Sequence, residues 1–375
     1  MADRSTTERW LSALTNLPTA SGLEDAVISW VRAWAHRRPD LKLITDSGGN
    51  LLITQKGRKP LPAVIAVAHM DHPAFVVTSV EGRDAAYEFR GGVRAEYFLG
   101  ARVEFKTTAS TVRGAVISHD PKRGTGLIRT SGSGVVSPGD IARWSFPDQR
   151  LQAGQFAAPA CDDLAGCVAA LAALDRARSD PALRHFGVLL TRAEEIGFVG
   201  AIHAAKFETV PKESRLLSIE ASRSSSQAPV GSGPVIRVGD ASTVFDQEMT
   251  NLISWATATR GLAHQRKLMA GGSCEATAFG AYGYRAAGLC LPLDNYHNMG
   301  HLDEVESGSA KATPLPEVVA LGDFHGLVDL LLVSTQALDG EGDLVPRLDR
   351  LYEDAKHLLD RRPLPLGPEA RKGAR

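Results

Sequence analysis

Only four cysteines, Cys161, Cys167, Cys274 and Cys290, occur in 375 residues, and no two of them stand in C-x-x-C spacing. That argues against a disulfide scaffold and a structural zinc–thiolate site, and makes a reducing cytoplasm the expected compartment. Long apolar runs are also missing, so no segment reads as a membrane span. The opening MADRSTTERWLSALTNLP scatters charge where a secretory leader would carry a continuous apolar stretch. Neither sign of charge dominates, since 42 Lys and Arg against 43 Asp and Glu give a formal net charge of −1. No overall field draws the chain toward nucleic acid or an anionic bilayer, and neither is expected as a partner. Internal repeats and long low-complexity segments are absent as well.

With 43% of its residues hydrophobic, the chain can bury a large core. Trp10, Leu11 and Leu14, then Val27, Ile28, Trp30, Val31 and Trp34, recur at helical spacing and predict two opening helices within 7–36. LKLITD and NLLITQK read as a strand pair, and the unbroken apolar run of PAVIAVAHMD as a strand buried on both faces. From 74 to 156 the texture changes to short alternating segments such as FVVTSV, YEFRG and RVEFKTT between Gly, Ser and Pro clusters, which predicts a small inserted β-barrel or sandwich. The α/β pattern resumes with a helix after Asp162, strands at HFGVLLT, RLLSIEA, PVIRVGD and AGLCLPL, and helices near 246–260 and 316–338. The expected fold is α/β, a mixed, mostly parallel sheet flanked by helices. A catalytic domain would be formed by 1–73 and 157–338, with the β domain 74–156 inserted; 339–375 would add a helix near 344–360 and a polar tail.

Acidic and histidine residues sit just beyond five apolar runs: His69 and Asp71, Asp162 and Asp163, Glu194 and Glu195, Glu220, and His297. In an open α/β sheet the loops leaving the carboxyl ends of strands gather such residues. Together they meet the needs of a two-metal hydrolytic site: imidazole and carboxylate ligands, a carboxylate shared by both ions, and a further carboxylate for proton transfer. Singly, each has a plainer reading. The H-x-D could be a structural hydrogen-bonded pair, the two aspartates could cap the following helix, and the two glutamates could favour a helix N-terminus. His301 rivals His297 as a ligand, His72, His119 and His185 read as surface or insert positions, and Cys161 and Cys167 as small packing residues.

AHMDHPAFVV, CDDLAGC, EEIGFVGA, GSGPVI and YHN, in that order, resemble the M42 metallo-aminopeptidases within the wider clan of dizinc exopeptidases. The resemblance runs from TASGLEDAV to about residue 338. It implies that Asp162 bridges two divalent ions, that His69 and Glu220 complete one and Glu195 and His297 the other, that Glu194 is the general base, and that Asp71 orients His69. Zinc is the first expectation, with cobalt or manganese accommodated by the same donors. It further implies a cis Asp162–Asp163 peptide, peptide substrates, and assembly through the inserted domain into homo-oligomers from dimers to dodecamers. Three departures leave substrate preference open. Glu220 stands where the M42 pattern has Asp, a choice shared with M20 peptidases. Cys274 in GGSCEATAF falls roughly where an acid is expected, and PLDNYHN lacks an arginine before its tyrosine. The alternatives are an M20-like dipeptidase, carboxypeptidase or amide deacylase using the same ions, and a metalloprotein without catalysis.

Overall fold

Residues that alternate along one strand divide between two cores: Val64, Ala66 and Ala68 enter one hydrophobic cluster, while Ala63, Ile65 and Val67 enter another. A strand that is apolar on both faces must be covered on both, and Val64–His69 and Phe186–Thr191 are buried at every position. They lie side by side within an eight-stranded sheet in the computed structural model, which describes residues 3–57, 62–106, 111–146, 150–340 and 344–360. The sheet runs in the order Leu41–Thr45, Leu51–Gln55, Phe186–Thr191, Val64–His69, Arg215–Arg223, Arg285–Leu293, Val235–Gly239, Gln265–Leu268. Its inner pairings, 186–191 with 64–69 with 215–223 with 285–293, are parallel. The opening hairpin and the 235–239 strand join them antiparallel. The carboxyl ends of the inner parallel strands therefore emerge together, at one edge of the sheet.

One face is covered by Leu164–Ala177, Leu321–Ala337 and the opening helix Arg4–Leu14. Leu164–Ala177 is buried all round except at Arg176, as its sequence LAGCVAALAALDRA requires, and its many alanines permit close approach. Val199–Lys206 and Glu275–Ala281 cover the other face.

Between Ala74 and Trp144 six strands close into a barrel, which decides between the barrel and sandwich readings. Aromatic side chains fill it. Phe75 meets Tyr87 and Phe89 at 4.9 Å and Trp144 at 4.7 Å, edge to face. His119 stacks on Phe98 with ring centroids 3.7 Å apart and is a packing residue of this barrel.

Three expectations need correction. The stretch expected to be helical from 316 instead begins with a strand, Glu317–Ala320, paired antiparallel to Gln155–Ala158, and the helix is Leu321–Ala337. Pro314 and Pro316 and the β-branched pair Val318 and Val319 account for the extended start. His72 and His185 are buried, at 4% and 1% exposure, rather than superficial. His185 lies beneath the end of the last core helix, against the Thr335 carbonyl and the Asp339 carboxylate. Gly340–Arg375 forms a second unit after Met1–Asp339 in the chain. Its described part is a helix, Leu344–Ala355, followed by a 3-10 turn to Asp360, and the expected tail beyond lies outside the described residues.

Candidate metal centre

Each residue expected at the site arrives on a strand end or on the loop that leaves it, except Glu220, which lies within the strand Arg215–Arg223. His69 ends the Val64–His69 strand, and Asp71 lies two residues on, fully buried. Asp71 accepts hydrogen bonds from Ser21 Oγ at 2.6 Å and from the backbone N–H groups of Glu194 at 3.0 Å and Glu195 at 3.1 Å. Its Oδ1 lies 3.5 Å from His69 Nδ1. One carboxylate thus fixes the loop that carries both glutamates and faces the His69 ring. Glu24, itself fully buried, holds the same loop by accepting from Ala193 N–H at 3.0 Å and Arg192 Nε at 2.6 Å.

Asp162 occupies the middle. Its Oδ1 is 3.4 Å from His69 Nε2 and its Oδ2 is 3.4 Å from His297 Nε2, so the two oxygens address two different imidazoles. Glu195 Oε1 lies 3.2 Å from His297 Nε2, while Glu194 Oε2 and Glu220 Oε1 lie 3.8 and 3.7 Å from His69 Nε2. The Asp162–Asp163 peptide is cis, as the resemblance implied. Gly166 leaves room for the Asp163 carboxylate, which a Cβ there would approach to 2.2 Å.

His297 sits in a left-handed turn, φ 52°, between Asn295 and Asn298 of like conformation. Its ring is aimed from two sides. Gly92, on a loop of the inserted barrel, places its carbonyl oxygen 2.6 Å from Nδ1, and the His297 N–H donates to Glu317 Oε1 at 2.8 Å. His301, the rival ligand, is exposed and lies outside this constellation.

The spacing of acids beyond strand ends did not reveal Glu317 or His72. Glu317 is fully buried and also accepts from the N–H groups of Cys161 at 2.7 Å and Asp162 at 3.0 Å. His72 places Nδ1 2.6 Å from the Asp162 carbonyl oxygen and Nε2 3.2 Å from Asn298 Oδ1. This is why it is buried: the chain turns inward beneath Asp162 immediately after Asp71. Glu275, next to Cys274 in GGSCEATAF, is the acid that the segment buries, at 0% exposure.

So many carboxylates set the electrostatics. Burial pushes the Glu194 carboxyl well above its usual range, against the charge of His69 and with the help of Glu220 and Glu195. Burial likewise raises Glu220 to about 8 and Glu275 to about 7. Asp162 goes the other way: burial would raise it, but the His297 and His69 imidazoles facing its two oxygens outweigh that and hold it below the ordinary carboxylate range.

A cation suits what remains unsatisfied. His69 Nε2, Asp162 Oδ1, Glu195 Oε1 and Glu220 Oε2 are buried without a hydrogen-bond partner among the described residues. Two donors bound to one ion at ordinary Zn–N and Zn–O lengths and a tetrahedral angle stand about 3.3 Å apart, near the separations found here. Ligand atoms of His69, Glu194 and Glu220, and likewise of His69, Asp162 and Glu195, lie within 4.8 Å of one another. Hard oxygen and imidazole donors of this kind fit divalent metal ions.

The family profile described as M42 glutamyl aminopeptidase matches residues 49–126 and 130–310, which include every one of these candidate ligands. The chain belongs to the M42 peptidase family. Membership supports an aminopeptidase function and divalent metal at this site. A protein of Acetivibrio thermocellus provisionally named an aminopeptidase is 24% identical over 274 residues, covering 68% of this M42 chain and 80% of that protein. Among solved structures, a TET aminopeptidase from a marine sediment archaeon of the Thaumarchaeota superposes with a TM-score of 0.72 at 19% identity, covering 88% of this chain and 96% of that one. The TET1 peptidase of Pyrococcus horikoshii, described as assembling into a tetrahedron or a large octahedral shell, superposes at 0.68 and 20% identity over 87% and 98% of the chains. These likenesses show that the M42 chain shares their fold.

Proposed function

We propose that this protein is a two-metal aminopeptidase that removes N-terminal residues from short peptides. The observation that carries the reading is Asp162, whose two oxygens each face a different histidine at 3.4 Å, the disposition of a carboxylate shared by two ions. His69 and Glu220 would complete one ion and Glu195 and His297 the other, zinc being first among zinc, cobalt and manganese. When bound, the ions supply Lewis acidity, lowering the pKa of a water and polarising the scissile carbonyl. Glu194 takes the proton from that water and delivers it to the leaving amine, a role that suits a buried carboxyl whose proton affinity is raised. Asp71 orients the His69 ring and holds the backbone of Glu194 in place.

In this reading residues 1–73 and 157–338 perform catalysis, 74–156 govern assembly and access, and 339–375 form an appended segment. The protein acts in the cytoplasm as a homo-oligomer between a dimer and a dodecamer. The assemblies described for the TET relatives support the last point. Among the described residues no helix is long and apolar enough to cross a membrane.

Glu194→Gln tests the mechanism. The variant should keep its metal content and lose about 10²- to 10⁴-fold in kcat on aminoacyl-p-nitroanilides, the usual worth of a general base. A metal-loaded variant that retains most of its rate would contradict it. Matched N-acetyl substrates separate the deacylase alternative, because an aminopeptidase requires the free amine.

A further inference from the structure

The helix of the appended unit, Leu344–Ala355, has 12 residues, and none of them is buried. The M42 profile ends at residue 310, so the use of this segment has to be read from its own residues. Leu344, Leu348, Leu351 and Ala355 follow one another at steps of four, three and four, the 3.5-residue repeat that lays an apolar seam along one side of a helix. Val345 and Tyr352, each one place beyond a leucine of the seam, widen it, and all four leucine, valine and tyrosine types in this stripe are exposed. Asp349, Arg350 and Glu353 occupy the other side. A lone helix of this length is marginal in water, and its apolar stripe adds stability only when something covers it.

The charges beside the seam point to its cover. Arg347 and Asp354 each stand immediately before a seam residue, one heptad apart and so on the same edge. Against a parallel copy, Arg347 would face the opposite edge, which carries Tyr352, and neither charge would be answered. Turned antiparallel, the helix meets its copy with like edges together. In the register that sets Leu344 against Ala355 and Leu348 against Leu351, Arg347 of each copy stands beside Asp354 of the other. The same register closes the apolar layers and both opposite-charge pairs about a two-fold axis, so this surface is complementary to itself.

We propose that Leu344–Ala355 is a self-association helix, which pairs antiparallel with the same helix of a second copy of this chain. The inference is independent of the catalytic reading above. A pair this short is weak alone and gains strength where another contact already holds two copies together, because the second contact then forms at high effective concentration.

The test uses full-length chains carrying Leu344→Cys or Ala355→Cys, expressed singly and together, oxidised with diamide and followed on non-reducing gels. The native cysteines are buried, which leaves the introduced thiol as the reactive one. In the antiparallel pair position 344 lies against position 355 of the copy, while each is about 16 Å of helix rise from its own counterpart. The co-expressed variants should therefore cross-link about 10-fold faster than either alone, since pairing raises the local concentration of the mixed couple only. Arg347→Asp carried by both chains sets acid against acid along the seam and should slow the cross-link to the rate of the single variants; adding Asp354→Arg to both should restore it. All four substituted positions are exposed, and an unchanged melting temperature verifies that the fold survives them. Equal rates in the single and co-expressed variants would mean parallel or random encounter and overturn the proposal. So would a co-expressed pair that never cross-links, the stripe then being covered within its own chain or by another partner. A cross-link indifferent to Arg347→Asp and to the charge swap would overturn the antiparallel register on which the proposal stands.

Discussion

A side chain that accepts three backbone N–H groups positions whatever those three peptides carry. Glu317 does this for Cys161, Asp162 and His297, and so holds the central carboxylate and one imidazole of the candidate centre through a single group. In Glu317→Gln one acceptor oxygen becomes a donor, leaving at least one buried N–H unpaired at a cost of about 1–3 kcal/mol. Zinc affinity measured by calorimetric titration should fall about 10- to 100-fold, the usual result of disturbing groups behind the ligands, with a lower melting temperature. Zinc binding equal to that of the wild type would show that Asp162 and His297 keep their places without it. The expected ligands could be read from the sequence because each follows an apolar run, and the end of a buried strand is where the chain regains freedom to aim a side chain. Glu317 could not be read that way, since it acts through backbone groups that have no residue type.

Elements were legible where one periodicity ran unbroken. The helix expected near 246–260 is Gln247–Thr259, and Asp246 caps it by accepting from Met249 N–H at 2.8 Å while pairing with Arg285 at 2.7 Å. Burial would raise the Asp246 carboxyl, but Arg285 and the helix N–H groups outweigh it and hold it below its usual value of 3.8. A carboxyl depressed in the folded state contributes stability above its unfolded pKa and loses it as pH falls through the folded one. Asp246→Ala should therefore cost about 1 kcal/mol at neutral pH. In thermal melts the gap to the wild type should narrow as pH drops below about 4, and a gap constant from pH 7 to 3 would contradict the assignment. The boundary near 316 was not legible, because helix and strand signals adjoin there and pairing with Gln155–Ala158, remote in sequence, decides between them. The glycine near the end of EEIGFVGA has a packing reason that only the folded chain shows: a Cβ on Gly200 would lie 2.4 Å from the Arg192 carbonyl oxygen.

At the scale of the whole molecule, the change of texture at residue 74 announced a β insert, but not that the insert would complete the site. Its loop supplies the Gly92 carbonyl that faces His297, pairs Arg94 with Glu306 at 2.5 Å, and ties Tyr97 Oη to the Gly300 carbonyl at 2.7 Å. The same loop carries Leu99, 73% exposed, and the barrel also exposes Val135 at 77%. Large apolar side chains in open positions cost little singly but mark surfaces that association can cover. An oligomer formed there would steady the loop that orients His297 and narrow the approach to it, so assembly and activity should change together. Light scattering is expected to give a mass several times the 40.0 kDa of one chain. Replacing Leu99 and Val135 by aspartate should shift that mass toward the single chain and lower kcat/KM. A wild type that runs as one chain at working concentration would refute the assembly. A double variant that keeps both its mass and its activity would remove the barrel from the contact.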